Sequence, residues 1–140
     1  MKVFLDSDVI LDFLTARQPF VEEIKIIINK GLRKEIKLYS SSLVVANVHY
    51  FISKTENTKQ ALIKIEKLAS FIKVLNVGEK EISQSIKSKF NDFEDAIQNF
   101  CALNSKIDLI VTRNIKDFKM SSLAILTPKE FLVKLEKETI

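Results

Sequence analysis

The sequence predicts an α/β fold, a three-layer α/β/α sandwich around a short parallel sheet of four or five strands. Three observations carry that prediction. Two short, wholly apolar runs, VFL at 3–5 and LIV at 109–111, read as strands buried on both faces, as parallel sheets require. Stretches with helical apolar spacing lie between the candidate strands, the clearest being Val21, Ile24, Ile27, Ile28 and Leu32. Strand and helix alternate along the chain, which is the pattern of stacked βαβ units.

Taken in order, the first strand ends abruptly in Asp6-Ser7-Asp8, and a short helix follows over 8–15, with Asp8 as its expected cap. Pro19 suits the first turn of the next helix, and Gly31 marks its end. A brief strand at 36–39 leads to Ser40-Ser41-Ser42, which offers an N-cap for a helix through Val44, Val48 and Ile52. Polar residues 55–58 form a loop. The helix over 59–72 is amphipathic, with Leu62, Ile65, Ala69 and Ile72 on its apolar side. KVLNV at 73–77 is a third strand, and Gly78 introduces a helix with Ile82, Ile86 and Phe90 at a period of four. Asn91-Asp92 opens the helix carrying Phe93, Ala96, Ile97, Phe100 and Leu103. The strand at 109–111 ends in Thr112-Arg113-Asn114, AIL at 124–126 is the last strand, and Pro128 starts the last helix.

With 140 residues, no linker and no repeat, one domain spanning 1–140 is expected. A hydrophobic content of 46%, including ten Phe, is enough for a core without staples and argues against disorder. The single cysteine, Cys101, excludes an internal disulfide and a zinc cluster, and fits a reducing compartment. Asp6 and Asp8 interrupt the first apolar stretch, against a secretory signal, and no run approaches a membrane span; a cytoplasmic protein is expected. Two isolated glycines, Gly31 and Gly78, exclude a phosphate loop and a dinucleotide fingerprint. The net charge of +4 permits a nucleic-acid partner without requiring one.

Polar chemistry gathers at the junctions between elements. Asp6 closes a buried strand at the end where α/β sheets bind ligands, with no basic residue near it in sequence. Asp92 and Asp95 lie one turn apart at a helix start, where capping is the plain explanation for either alone. Asp117 follows the fourth strand, where a turn explains it equally well. Carboxylates of this kind with ordered waters are the usual setting for Mg²⁺, which serves phosphate-ester chemistry by activating water and neutralising charge. Lone His49, beside Tyr50 and Phe51, reads as a packed residue.

MKVFLDSDVILDFL, NDFEDAIQNFCAL and DLIVTRNIKDF, with the closing ILTPKEFL, together resemble the PIN domain family over essentially the whole chain. The resemblance implies a small α/β/α ribonuclease using Mg²⁺ or Mn²⁺, similar to the VapC-type toxins that a cognate antitoxin holds inactive and that pair as homodimers. By motif, it implies Asp6 as the first-strand acid, Asp95 at the start of the central helix and Asp92 one turn earlier as metal ligands. Asn114 and Asp117 would complete the catalytic set, with Thr112, Arg113 and Asn47 meeting RNA and Lys116 and Lys119 contacting its backbone. Hydrolysis leaving a 5′-phosphate is the implied outcome. The chain departs from the family pattern in two places: Asn47 stands where a Glu is usual in the helix after the second strand, and residue 114 is Asn where many relatives have Asp. An amide can ligate a metal but cannot act as a base.

Two other readings compete. A PIN module that binds RNA or a protein without cutting would explain Asn47 and Asn114. A haloacid-dehalogenase-like phosphatase would use Asp6 and Asp8 in a D-x-D pair. It needs a further acid pair after a later strand, however, and Asp92 and Asp95 follow KSKFN at 87–91, which is not a strand.

Overall fold

The computed structural model describes residues 1–138; the last two positions of the expected 1–140 span lie outside the described residues. Five strands form one parallel sheet in the order β3-β2-β1-β4-β5: β1 (Lys2–Leu5), β2 (Lys37–Ser41), β3 (Lys73–Leu75), β4 (Leu109–Val111) and β5 (Ala124–Leu126). The helices are α1 (Ser7–Leu14), α2 (Val21–Leu32), α3 (Ser42–Thr55), α4 (Thr58–Ala69), α5 (Glu79–Ile86), α6 (Phe93–Asn104) and α7 (Pro128–Glu138). A 3-10 turn covers Ile115–Phe118.

The chain fills one side of the sheet from β1 through β3, then returns to the other side of β1 for β4 and β5. Because parallel crossovers are right-handed, this reversal places α1–α4 on one face and α5 and α6 on the other. Contacts agree: α1 packs on α2 and α3, α3 on α4, and α5 on α6, while α7 returns to α2. The reversal makes the gap between β1 and β4 a topological switch point, and its carboxyl end is where such sheets open a crevice.

Burial follows strand position. Val3, Phe4, Leu5, Ile110 and Val111 of the central strands are wholly inaccessible, whereas the edge strands β3 and β5 are partly exposed. An edge strand meets water on one side, so Lys73 and Val74 of β3 are exposed, whereas β1 is accessible only at Lys2, its first residue. Each wholly buried Leu, Ile or Phe contributes about 1.5–3 kcal/mol relative to leaving it exposed.

Several local expectations need correction. Asp6, not Asp8, is the N-cap of α1: its side chain accepts from the Ser7 amide at 2.8 Å. Pro19 lies in the turn before α2, which starts only at Val21. Gly31 does lie near the end of α2, one residue before its last, and it answers to space, since a Cβ there would lie 2.5 Å from Leu38 Cδ1. Strand β2 runs on to Ser41, because the Ser40 hydroxyl donates to the Leu5 carbonyl at 2.8 Å and so belongs to the sheet. On α4 the fully buried residues are Ala61 and Leu68, while Leu62 is exposed. Helix α5 ends at Ile86, itself exposed, so Phe90 is not on it. The expected caps Ser41 and Asp92 are in place, accepting from the Val44 and Asp95 amides at 3.0 and 2.9 Å.

Candidate active site

Asp6 stands where β1 ends and α1 begins, with its backbone N–H donating to the Val111 carbonyl at 3.1 Å across the switch point. One carboxylate oxygen accepts from the Ser7 amide, and the other accepts from the buried Thr112 hydroxyl at 2.9 Å. Thr112 is wholly inaccessible, so it aims Asp6 rather than meeting a substrate as expected. No cation touches Asp6 among the described residues. Burial, then the charge of Asp8, push its carboxyl up to about 6 against these two hydrogen bonds, and Asp117 adds to the rise.

Asp95 reaches the same region from the first turn of α6. Its carboxyl is pushed up to about 7, first by desolvation and then by the charges of Asp92, Asp6, Asp117 and Glu94. Those four charges identify the company it keeps: acids from the end of β1, from the turn after β4 and from the start of α6 act on one another, and none of Asp6, Asp92, Asp95 and Asp117 is in an ion pair among the described residues. Beside them lies a cleft of about 200 Å³ lined by Phe90, Asp92, Asp95, Lys116, Asp117 and Lys119, among others.

The remaining expected site residues divide. Asp117, in the 3-10 turn, is exposed and contributes charge to both Asp6 and Asp95. Asn114 is exposed at the start of that turn, and its backbone amide donates to the Thr112 hydroxyl at 3.1 Å. Asp92 uses one oxygen to cap α6, and among the described residues no group of three or more acidic, His or Cys side chains forms a ready-made ligand cluster. The expected Asp6, Asp92 and Asp95 set is therefore not preassembled.

The Arg113 side chain, expected to meet RNA, is bonded to Asp12. Its Nε donates to Asp12 Oδ2 at 2.7 Å and a terminal nitrogen to Asp12 Oδ1 at 3.2 Å, while its guanidinium lies 3.9 Å from the Phe20 ring centroid. Its backbone amide donates to Asp8 Oδ2 at 3.0 Å, and Arg17 adds a longer contact to Asp12. Asp8 is thus a strut between α1 and the loop after β4, a role that removes it from a phosphatase-like acid pair. Local sequence does not show the Asp12–Arg113 fork, whose members are 101 residues apart.

Asn47 is committed as well: its Nδ2 donates to Glu94 Oε2 at 3.1 Å, joining α3 to α6. At the end of β2, the Ser41 hydroxyl donates to the buried Gln98 side chain of α6. Glu94 was visible in NDFED but carried no signal of its own; only the fold shows what it faces.

A parallel five-stranded α/β sheet with acids converging on its switch point is the arrangement of the PIN domain family. Residues 2–116 match that family, and the chain belongs to it. It is 30% identical over 139 residues to ribonuclease VapC1 of Aquifex aeolicus, a match covering 93% of this chain and 92% of that one. Among solved structures, the DNA-bound VapBC complex of Salmonella typhimurium is similar, with a TM-score of 0.71, 17% identity, and coverage of 91% of this chain and 98% of that one. The sarcin–ricin loop cleaving toxin VapC20 of Mycobacterium tuberculosis is similar too, with a TM-score of 0.67, 12% identity, and coverage of 87% and 98%. No helix among the described residues is long and apolar enough to cross a membrane.

Proposed function

We propose that the protein is a Mg²⁺- or Mn²⁺-dependent endoribonuclease, the toxin of a toxin–antitoxin pair acting in the cytoplasm. The observation that carries this reading is that Asp6 and Asp95 make no ion pair among the described residues beside a cleft lined by Asp92, Asp95 and Asp117, and that burial first, then neighbouring acids, raise them to about 6 and about 7. Structural acids are ordinarily paired, so strongly perturbed and unpaired acids beside a cleft are candidates for function.

The donor set fits a hard divalent cation. Mg²⁺ is commonly held by one or two carboxylates plus waters and substrate phosphates, so a preassembled cluster of three is not required. Asp6 and Asp95 would hold the ion, with Asp92 or Asp117 on its outer side. When bound, the ion supplies an activated water and neutralises charge on the scissile phosphate. The chain supplies the rest. Thr112 and the Ser7 amide fix the direction of Asp6, and the Asp8–Arg113–Asp12 link fixes the loop that carries Thr112. Lys116 and Lys119 line the cleft and would contact RNA phosphates.

Purified protein with Mn²⁺ should cleave a panel of RNAs, and Asp6→Ala and Asp95→Ala should each abolish cleavage. If wild type and both variants behave alike, the nuclease reading fails. The amides at 47 and 114 favour one rival, a module that binds without cutting; it predicts RNA binding with no Mn²⁺-dependent products. The VapBC complexes among its structural relatives support a cognate antitoxin as partner, and a homodimer is part of the same reading. Co-purification with the product of a neighbouring short gene, and light scattering of the free protein, test those two points.

A further inference from the structure

In the family pattern the helix after the second strand carries a carboxylate, and α3 of this chain has Asn47 there. The structure brings a carboxylate to that amide from elsewhere. Glu94 Oε2 lies 3.1 Å from Asn47 Nδ2, and Glu94 immediately precedes Asp95 on α6. Neighbouring helical residues project about 100° apart. Glu94 therefore turns toward α3, while Asp95 lines the cleft together with Asp92 and Asp117.

The type of partner decides what the pair can do. A lysine at 47 would cancel the charge of Glu94, and a glutamate there would repel it. An amide donor holds the carboxylate in place and leaves its charge intact. No lysine or arginine pairs with Glu94 among the described residues, and its Oε2 accepts from the neutral Asn47 amide. Glu94 is exposed, and its neighbours Asp92 and Asp95 line the cleft.

We infer that Glu94 supplies the negative charge that α3 lacks, with Asn47 as the positioning residue that holds it on the α3 side of the site. The carboxylate and its holder have exchanged elements: α6 carries the charge and α3 carries the donor. This inference rests on the nuclease reading and adds a residue to that site.

The test is a charge exchange read by Mn²⁺ titration of the protein without RNA, followed by electron paramagnetic resonance, with thermal melting to confirm folding. Glu94→Gln should weaken Mn²⁺ binding about 10-fold, the lower range for a group that supports a metal site, while its melting temperature stays near wild type. Asn47→Ala should weaken binding less, because Glu94 keeps its charge and loses only its anchor. The double variant Asn47→Glu/Glu94→Gln restores a carboxylate on α3 and should recover to within roughly threefold of wild type. If Glu94→Gln binds Mn²⁺ like wild type while Asp95→Asn loses it, this inference falls alone. The same holds if the double variant binds no better than Glu94→Gln. A wild type that neither binds Mn²⁺ nor cuts RNA overturns the nuclease reading, and this inference with it.

Discussion

Asp6 and Asp12 are both buried aspartates on the same short segment, and they are treated in opposite ways. Asp12 is 1% exposed and gripped by Arg113 in a two-point fork, with Arg17 nearby. Asp6 is 5% exposed and receives only two neutral hydrogen bonds, while Asp8, Asp117 and its own burial oppose its charge. A buried charge without a partner is costly, and folding alone gives no reason to keep one. The contrast separates a carboxylate that ties elements together from one held ready for a positive ligand. It also gives Arg113 a structural role: the guanidinium completes the structural aspartate.

The largest expected effect attacks the structural member of the pair. Arg113→Met leaves Asp12 buried with only the 3.6 Å contact to Arg17, and should lower unfolding free energy by about 3 kcal/mol in denaturant titrations. Arg113→Lys should recover only part of this, because an ammonium cannot form the fork.

Asp6→Asn should do the reverse at neutral pH. The folded carboxyl is raised from 3.8 to about 6, so the native state binds the extra proton and the metal-free protein loses stability as pH rises through that interval. The rise of roughly two units corresponds to up to about 3 kcal/mol at pH 7. Asp95, raised to about 7, extends the same slope upward by a smaller amount, because it is half exposed. Melting temperatures of the metal-free protein at pH 5 and pH 7 check this: wild type should lose stability on going to pH 7, and Asp6→Asn should flatten the change. Saturating Mn²⁺ should restore the loss in wild type, by mass action on the folded state.

The smallest effect concerns the cleft rim. Lys116→Ala and Lys119→Ala should each reduce the salt dependence of RNA binding by about one unit of slope, leaving the melting temperature unchanged. A slope that stays the same would remove these lysines from the RNA path.

How much of this was legible follows the range of the interactions. The strands β1 and β4 could be read because parallel pairing buries both faces and leaves the apolar runs VFL and LIV. The Ser41 and Asp92 caps were legible because a cap and the amide it serves are three residues apart. Asp6 stood out because it interrupts an apolar run. The choice between Asp6 and Asp8 as cap was not legible, since either could accept from an early amide; the loop after β4 claims Asp8 through the Arg113 backbone. The buried face of α4 turned on which side α3 covers. The pairings that define the site, Thr112 with Asp6, Arg113 with Asp12 and Asn47 with Glu94, span 106, 101 and 47 residues, and no local pattern encodes them.

The most direct measurement is Mn²⁺ binding to the metal-free protein at pH 7, compared between wild type and Asp6→Asn by electron paramagnetic resonance. The account predicts a bound ion in wild type and its loss, by roughly 100-fold in affinity, in Asp6→Asn that remains folded. Equal binding by the two proteins, or none by wild type, would contradict it.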